Sequence, residues 1–151
     1  MEIRRAVTDD ILQIKDLVHS LAGFYLQDKT APLPAWFAQS ISLSEFEQRL
    51  LNPEFIHFVY TLNGVVVGYI SLKSGSHLYH LFVAADAQGK GIARALWERA
   101  CSVAPATHYT VRSSLYAVPV YKKFGFRESG PAANKDGIGF QPMELVVHNP
   151  V

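Results

Sequence analysis

The stretch "LFVAADAQGKGIARALWERA" (residues 81–100) decides how the chain is read. An apolar run gives way to Gly89-Lys90-Gly91, and a helix pattern opens directly behind them. The first amides of a helix have no intrahelical partner and carry partial positive charge, so they form an anion site. Gly89 and Gly91 remove the Cβ atoms that would block a phosphate, while Lys90 and Arg94 add charge at the rim. A phosphate-bearing ligand explains this composition; a flexible strand-to-helix turn is the competing reading.

Spacing excludes two phosphate motifs. A Walker loop requires glycine where this chain has Ala84 and Ser or Thr where it has Gly91. A dinucleotide fingerprint requires a third glycine where Arg94 stands. The pattern that fits is Q-x-x-G-x-(G/A), read from Gln88, Gly91 and Ala93, with Gly89, Lys90 and Ile92 between them. It resembles the coenzyme A pyrophosphate loop of the GNAT superfamily of N-acetyltransferases. A second stretch, "SLYAVPVYKKFGF" (114–126), resembles that family's later motif through Ala117, Tyr121, Gly125 and Phe126. Both motifs occur in the family's order.

The resemblance implies an α/β (α+β) fold in a single domain over 1–151, with a mixed, mostly antiparallel sheet. Its central parallel strand pair is splayed, and about four helices cover it. It further implies acetyl-CoA as cofactor and direct attack of a primary amine on the thioester in a ternary complex. Backbone groups of Leu81, Phe82 and Val83 would pair with the pantetheine arm, and the amides of Gly89 to Arg94 would hold the pyrophosphate. Tyr121 aligns with the family's general acid. His77 occupies a strand position where several members carry a catalytic Glu or His, and a neutral imidazole accepts a proton at pH 7. His80 or a water oriented by Tyr79 are the other candidates for the base. Strict strand alternation places His77, Tyr79, Leu81 and Val83 on one face and His80 on the other, as a core histidine; the resemblance implies that a bulge is common in this strand, and a bulge shifts the parity of the residues before it, so that His77 and His80 could exchange roles. Ser114 stands where many relatives have Asn, able to bond the pantetheine or cap a helix. Arg112 either pairs with an acidic group of the substrate or points to solvent. Gly125-Phe126 reads as a helix cap and core anchor.

In the family, acceptor specificity comes from the segments that correspond here to 24–42 and about 129–142. The first carries Phe24, Tyr25, Trp36 and Phe37, which suggests an aromatic wall. Asp28 and Asp136 are acids able to attract a cationic amine. A small-molecule amine is the expected acceptor, with a peptide or protein amine as the alternative. A non-catalytic acyl-CoA-binding module is the alternative to an enzyme.

Around these motifs the order reads β α α β β β α β α β β. Thr8 or Asp9 is expected to cap the first helix, and "SLSE" (42–45) has capping-box form. Asn63-Gly64 between "FIHFVYT" and "VVVGYISLK" signals a hairpin. The 151 residues suffice for one core; 49% are hydrophobic, 18% are charged, and the net charge is +1. That balance disfavours a nucleic-acid partner. The lone Cys101 rules out a disulfide framework and multi-cysteine metal motifs, so no metal is expected. Without a signal core or membrane-length apolar run, the expectation is a cytoplasmic protein with no membrane partner. The sequence leaves a homodimer open.

Overall fold

The computed structural model describes residues 1–147. Two hydrophobic layers flank one sheet, and the hairpin at Asn63-Gly64 organises its first half. Both turn residues have positive φ (52° and 78°), the conformation of a tight primed turn, and they join β2 (Phe55–Leu62) to β3 (Val65–Lys73). With β1 (Glu2–Arg5), β4 (His77–Val83), β5 (His108–Ser114), β6 (Arg127–Glu128), β7 (Ala133–Lys135) and β8 (Ile138–Val146), the sheet runs β1-β2-β3-β4-β5-β8-β6, and β7 pairs with β8 off this path. All pairings are antiparallel except β4 with β5. The short strand β7 does not figure in the strand order read from the sequence.

Among the described residues, five α-helices cover the sheet. α1 (Ile11–Leu21), α2 (Ala35–Ser40) and α3 (Leu43–Leu51) lie on one face, where Ile14, Val18 and Phe46 pack with Val59, Tyr69 and Phe82. α4 (Ile92–Val103) and α5 (Val118–Phe124) lie on the other, where Leu96, Trp97 and Tyr121 pack with Ile70, Leu78 and Val111. The fifth helix, α2, falls within 24–42, whose aromatics and prolines hide its period. Gly68 lets α4 approach the sheet: an added Cβ would meet Leu96 Cδ1 at 2.9 Å and Ile92 Cγ2 at 3.0 Å.

Two local expectations change. The first helix is preceded by a 3₁₀ turn over Thr8–Asp10, and Asp10, not Thr8 or Asp9, accepts the exposed N–H of Val7 at 2.8 Å. The same carboxylate receives Arg4 at 2.7 and 2.9 Å, which holds it below the usual carboxylate range. At α3, Ser42 Oγ accepts from the Glu45 amide at 3.4 Å, while the Glu45 side chain reaches forward to Arg49 rather than back.

Candidate active site

Strands β4 and β5 pair only at His77↔Thr110 and Leu78↔Val111. Beyond those two rungs they part, leaving the β5 side of Leu81–Val83 without a strand partner. The gap ends at the glycine turn. Gly89 and Gly91 have φ of 81° and 80°, and an added Cβ at either would meet no protein atom within 4 Å. Open space therefore lies where side chains are missing, directly before the amides of α4.

A cavity of about 500 Å³ fills this region, lined by Leu81, Phe82, Val83, Gln88, Gly89, Gly91, Ile92, Ala93 and Arg94 from the β4–α4 side. From the β5–α5 side come Ser114, Tyr116 and Tyr121. Lys90 is exposed and stands outside this lining. Ile92 is buried in the core, so its side chain anchors α4. The Arg94 guanidinium donates to the Lys123 carbonyl at 2.9 Å and lies over the Phe124 ring, which fixes it between α4 and α5. Gln88 donates to the Val83 carbonyl at 3.0 Å and accepts from the Tyr116 hydroxyl at 2.8 Å. Tyr116 also stacks on Phe24 at 5.0 Å, so a strap of side chains that sequence reasoning missed crosses the gap. No motif signals it, because it joins three segments distant in sequence.

A second cavity, of about 330 Å³, opens on the α1–α3 face and shares Tyr25, Leu81, Phe82, Ser114, Ala117 and Tyr121 with the first. Tyr121 thus stands where the two meet. It is 5% exposed, its ring packs edge-on against Phe124 and Phe126, and its hydroxyl has no hydrogen-bond partner among the described residues. Burial pushes this phenol well above its ordinary value, so it holds its proton throughout the neutral range. Gly125, at φ 101°, ends α5; the Phe126 amide returns to the Tyr121 carbonyl at 3.0 Å and Phe126 is buried, as the cap-and-anchor reading expected. Ser114 Oγ accepts from the Ala117 amide at 3.1 Å, so it caps the turn into α5.

Strict alternation fails in β4. Ser71 pairs with His80 and Leu72 with Leu78, which leaves Tyr79 as an extra residue on β4. Leu78 and Val83, an odd number of positions apart, consequently join the same core, opposite Phe82. The face assignment drawn from the sequence is corrected: His77 and His80 both line the second cavity. The Nδ1 atom of His77 lies 2.8 Å from the Thr110 hydroxyl. Burial lowers its pKa below 6.5, and the Lys73 ammonium acts in the same direction. His80 packs among Phe46, Tyr69 and Phe82, and its buried Nδ1 has no partner among the described residues. Burial, then Arg49 and His57, hold it further below 6.5. Both imidazoles are neutral at pH 7.

The two segments expected to form the acceptor side meet. Leu26 bridges to Ile138, the Gln27 amide donates to the Gly137 carbonyl at 3.0 Å, and Trp36 Nε1 donates to Asp136 Oδ2 at 2.8 Å. Asp28 binds the amide and hydroxyl of Thr30 at 3.0 and 2.7 Å. Neither acid lines either cavity.

The family model for the acetyltransferase (GNAT) domain matches residues 23–147. Peptidyl-lysine N-acetyltransferase YjaB of Escherichia coli is 42% identical over 65 residues, which cover 42% of this chain and 44% of that protein. Its Salmonella typhimurium counterpart is 38% identical over a stretch of the same length. The match thus spans less than half the length of these curated relatives. Among solved structures, PaiA N-acetyltransferase from Thermoplasma acidophilum in complex with coenzyme A superposes with a TM-score of 0.74 at 18% identity, covering 97% of this chain and 98% of that one. Ribosomal-protein-alanine N-acetyltransferase from Brucella melitensis gives 0.73 at 20% identity, covering 97% and 100%. These structural likenesses speak of the fold. The family model spans most of the described chain, the glycine turn and the Tyr121 motif included, and the chain belongs to the GNAT acetyltransferase family.

Proposed function

We propose that the protein is an acetyl-CoA-dependent N-acetyltransferase that acts on a small primary amine in a ternary complex. The observation that carries this is the junction of the two cavities at Tyr121, one ending at the glycine turn and the other at His77 and His80. The glycine turn fits the cofactor, because it offers helix-terminal amides and open space where a Cβ would intrude. Gly89, Gly91 and the amides through Arg94 would hold the pyrophosphate, and the unpaired edge of Leu81–Val83 would hold the pantetheine arm. When bound, acetyl-CoA supplies a thioester whose carbonyl carbon an amine attacks, with a thiolate as leaving group.

The residues of the chain then divide the proton work. An alkylammonium has a pKa near 10, so one proton must leave before the nitrogen can attack. His77, neutral and held by Thr110, takes that proton and passes it to solvent. His77, freed of the first proton, takes a second from the nitrogen as the N–C bond forms and the C–S bond breaks, and passes it likewise to solvent. The Tyr121 hydroxyl protonates the departing sulfur and recovers its proton from the surroundings. No protein nucleophile is needed.

A peptide lysine is the second reading for the acceptor, supported by the name of the partial relative YjaB. The test of the cofactor reading is calorimetric titration of the purified protein with acetyl-CoA, beside a Gly91→Glu variant. Binding to the wild type that the variant loses is the expected result. No binding to the wild type at millimolar ligand would overturn the reading.

A further inference from the structure

The acceptor cavity has a lopsided charge lining. Arg112 alternates on β5 with Tyr109 and Val111 of the α4–α5 core, so it shares the opposite face with Thr110 and Ser114. Its guanidinium carbon sits 3.6 Å from the centroid of the Phe140 ring. Lys135, at the end of β7, holds its ammonium 4.5 Å from the centroid of the Trp36 ring. Both line the smaller cavity. Among the described residues, neither has an Asp or Glu partner within ion-pair distance, although five other Lys or Arg side chains do.

No Asp or Glu lines this cavity among the described residues. Asp136, beside Lys135 in sequence, is engaged by the Trp36 indole. His77 and His80 add no positive charge at pH 7, since burial keeps both neutral. The rest of the wall is mostly apolar, and Tyr25, Trp36, Phe37 and Phe140 are among its aromatic members. Two exposed cations with no Asp or Glu within ion-pair distance therefore border a pocket of about 330 Å³, at the small end of ligand sites. Such a lining repels polycationic amines, which would face like charge with no carboxylate to relieve it. An arginine fork held against a ring instead suits a planar, bidentate anion.

Resting on the N-acetyltransferase reading above, we infer that the acceptor is a small amine bearing a carboxylate and an apolar or aromatic body, amino acid-like in outline, with Arg112 and Lys135 holding the carboxylate. The aromatic wall takes the body, and the amine lies toward His77 and Tyr121. Arg112 and Lys135 are specificity residues here and take no part in proton transfer.

The test uses product analogues on the coenzyme A-loaded protein, so no acceptor need be known. Calorimetry first measures coenzyme A binding, then titrates N-acetyl-L-phenylalanine, N-acetyl-L-phenylalaninamide and a short peptide carrying N-acetyl-lysine. The first two differ only in charge at the carboxyl end. The expected result is that the acid binds at least about tenfold tighter than the amide, the scale of one charge-assisted hydrogen-bonded pair. Arg112→Gln should erase most of that preference and Lys135→Gln part of it, with coenzyme A affinity unchanged in both. Equal binding of acid and amide overturns the inference, as does a preference surviving in both variants or binding of the lysine peptide alone. Absence of any acid binding to loaded protein also overturns it, while leaving the cofactor reading intact. Failure of coenzyme A itself to bind removes the underlying reading and the inference together, and the first titration separates that case.

Discussion

Replacing Tyr121 by Phe isolates a single hydroxyl at the meeting point of the two cavities. The ring stays: its edge contacts with Phe124 and Phe126, at centroid distances of 6.1 and 5.6 Å, are unchanged by the substitution. The hydroxyl has no hydrogen-bond partner among the described residues, so its removal orphans no buried group, and stability should change by less than about 1 kcal/mol. For a chain of this length that is a shift in Tm of at most about 4 °C. If Tyr121 is the acid that protonates the leaving sulfur, kcat should fall about 10²- to 10⁴-fold, equivalent to roughly 3–5 kcal/mol of barrier. Coenzyme A affinity should stay within about twofold. The assay follows release of free thiol at saturating acetyl-CoA, with an acceptor the wild type turns over. Because burial raises the phenol above its ordinary value, Tyr121 adds no falling alkaline limb to the wild-type profile below about pH 10. Retention of wild-type kcat would refute the assignment, and so would a rise in KM with kcat unchanged, which marks uniform binding rather than a role in the transition state.

Other consequences follow from the same geometry. With its folded pKa lowered, His77 is more than half neutral at pH 6.5, so the acidic limb of kcat/KM should lie below that value; a limb that persists unmoved in His77→Gln would transfer the base to another group, His80 first. His57, His77 and His80 all have folded values below 6.5, and the unfolded chain binds protons at pH values where the folded chain does not. Their contribution to stability is therefore complete above 6.5 and lost as pH falls through the folded values; equal urea midpoints at pH 7.5 and 5.5 would contradict it. Gly68→Ala forces a methyl against Leu96 and Ile92, and overpacking of this kind costs about 1–3 kcal/mol, or roughly 3–10 °C in Tm; an unaltered melting curve would show that α4 does not rest there.

What the sequence disclosed follows from how local each signal is. The glycine turn, the Asn63-Gly64 hairpin and the Gly125 cap each rest on a positive φ that the chain announces with glycine or asparagine, and the structure places all three as read. Helix α2 was illegible because six residues beginning at Ala35, two of them aromatic, offer less than two turns of periodicity. The bulge could be raised from the sequence but not placed at Tyr79, because it is a property of the β3–β4 pairing, and "HLYHLFV" alternates well enough by itself to fit an unbroken strand. One extra residue moved His77 to the side of His80, and the identity of the candidate base turns on that shift.

The charge character of the acceptor side shows how far apart composition and placement lie. On sequence alone, Asp28 and Asp136 are the acids of the acceptor segments, and they favour a cationic partner. In the fold both carboxylates are engaged, one by Thr30 and the other by the Trp36 indole 100 positions away. Arg112 and Lys135, from two different strands, border the space instead. No window of sequence holds these four residues together, so the sign of the field around the acceptor follows from the β7–β8 hairpin docking on the segment from 24 to 42. Weakening that docking, for example by Trp36→Phe to free Asp136, should therefore raise the relative binding of the uncharged amide over the acid. A carboxylate released beside Lys135 competes for the cation that the acid would use. An acid-to-amide preference identical in Trp36→Phe and wild type would show that the Trp36–Asp136 bond does not set the field that Lys135 offers to the acid.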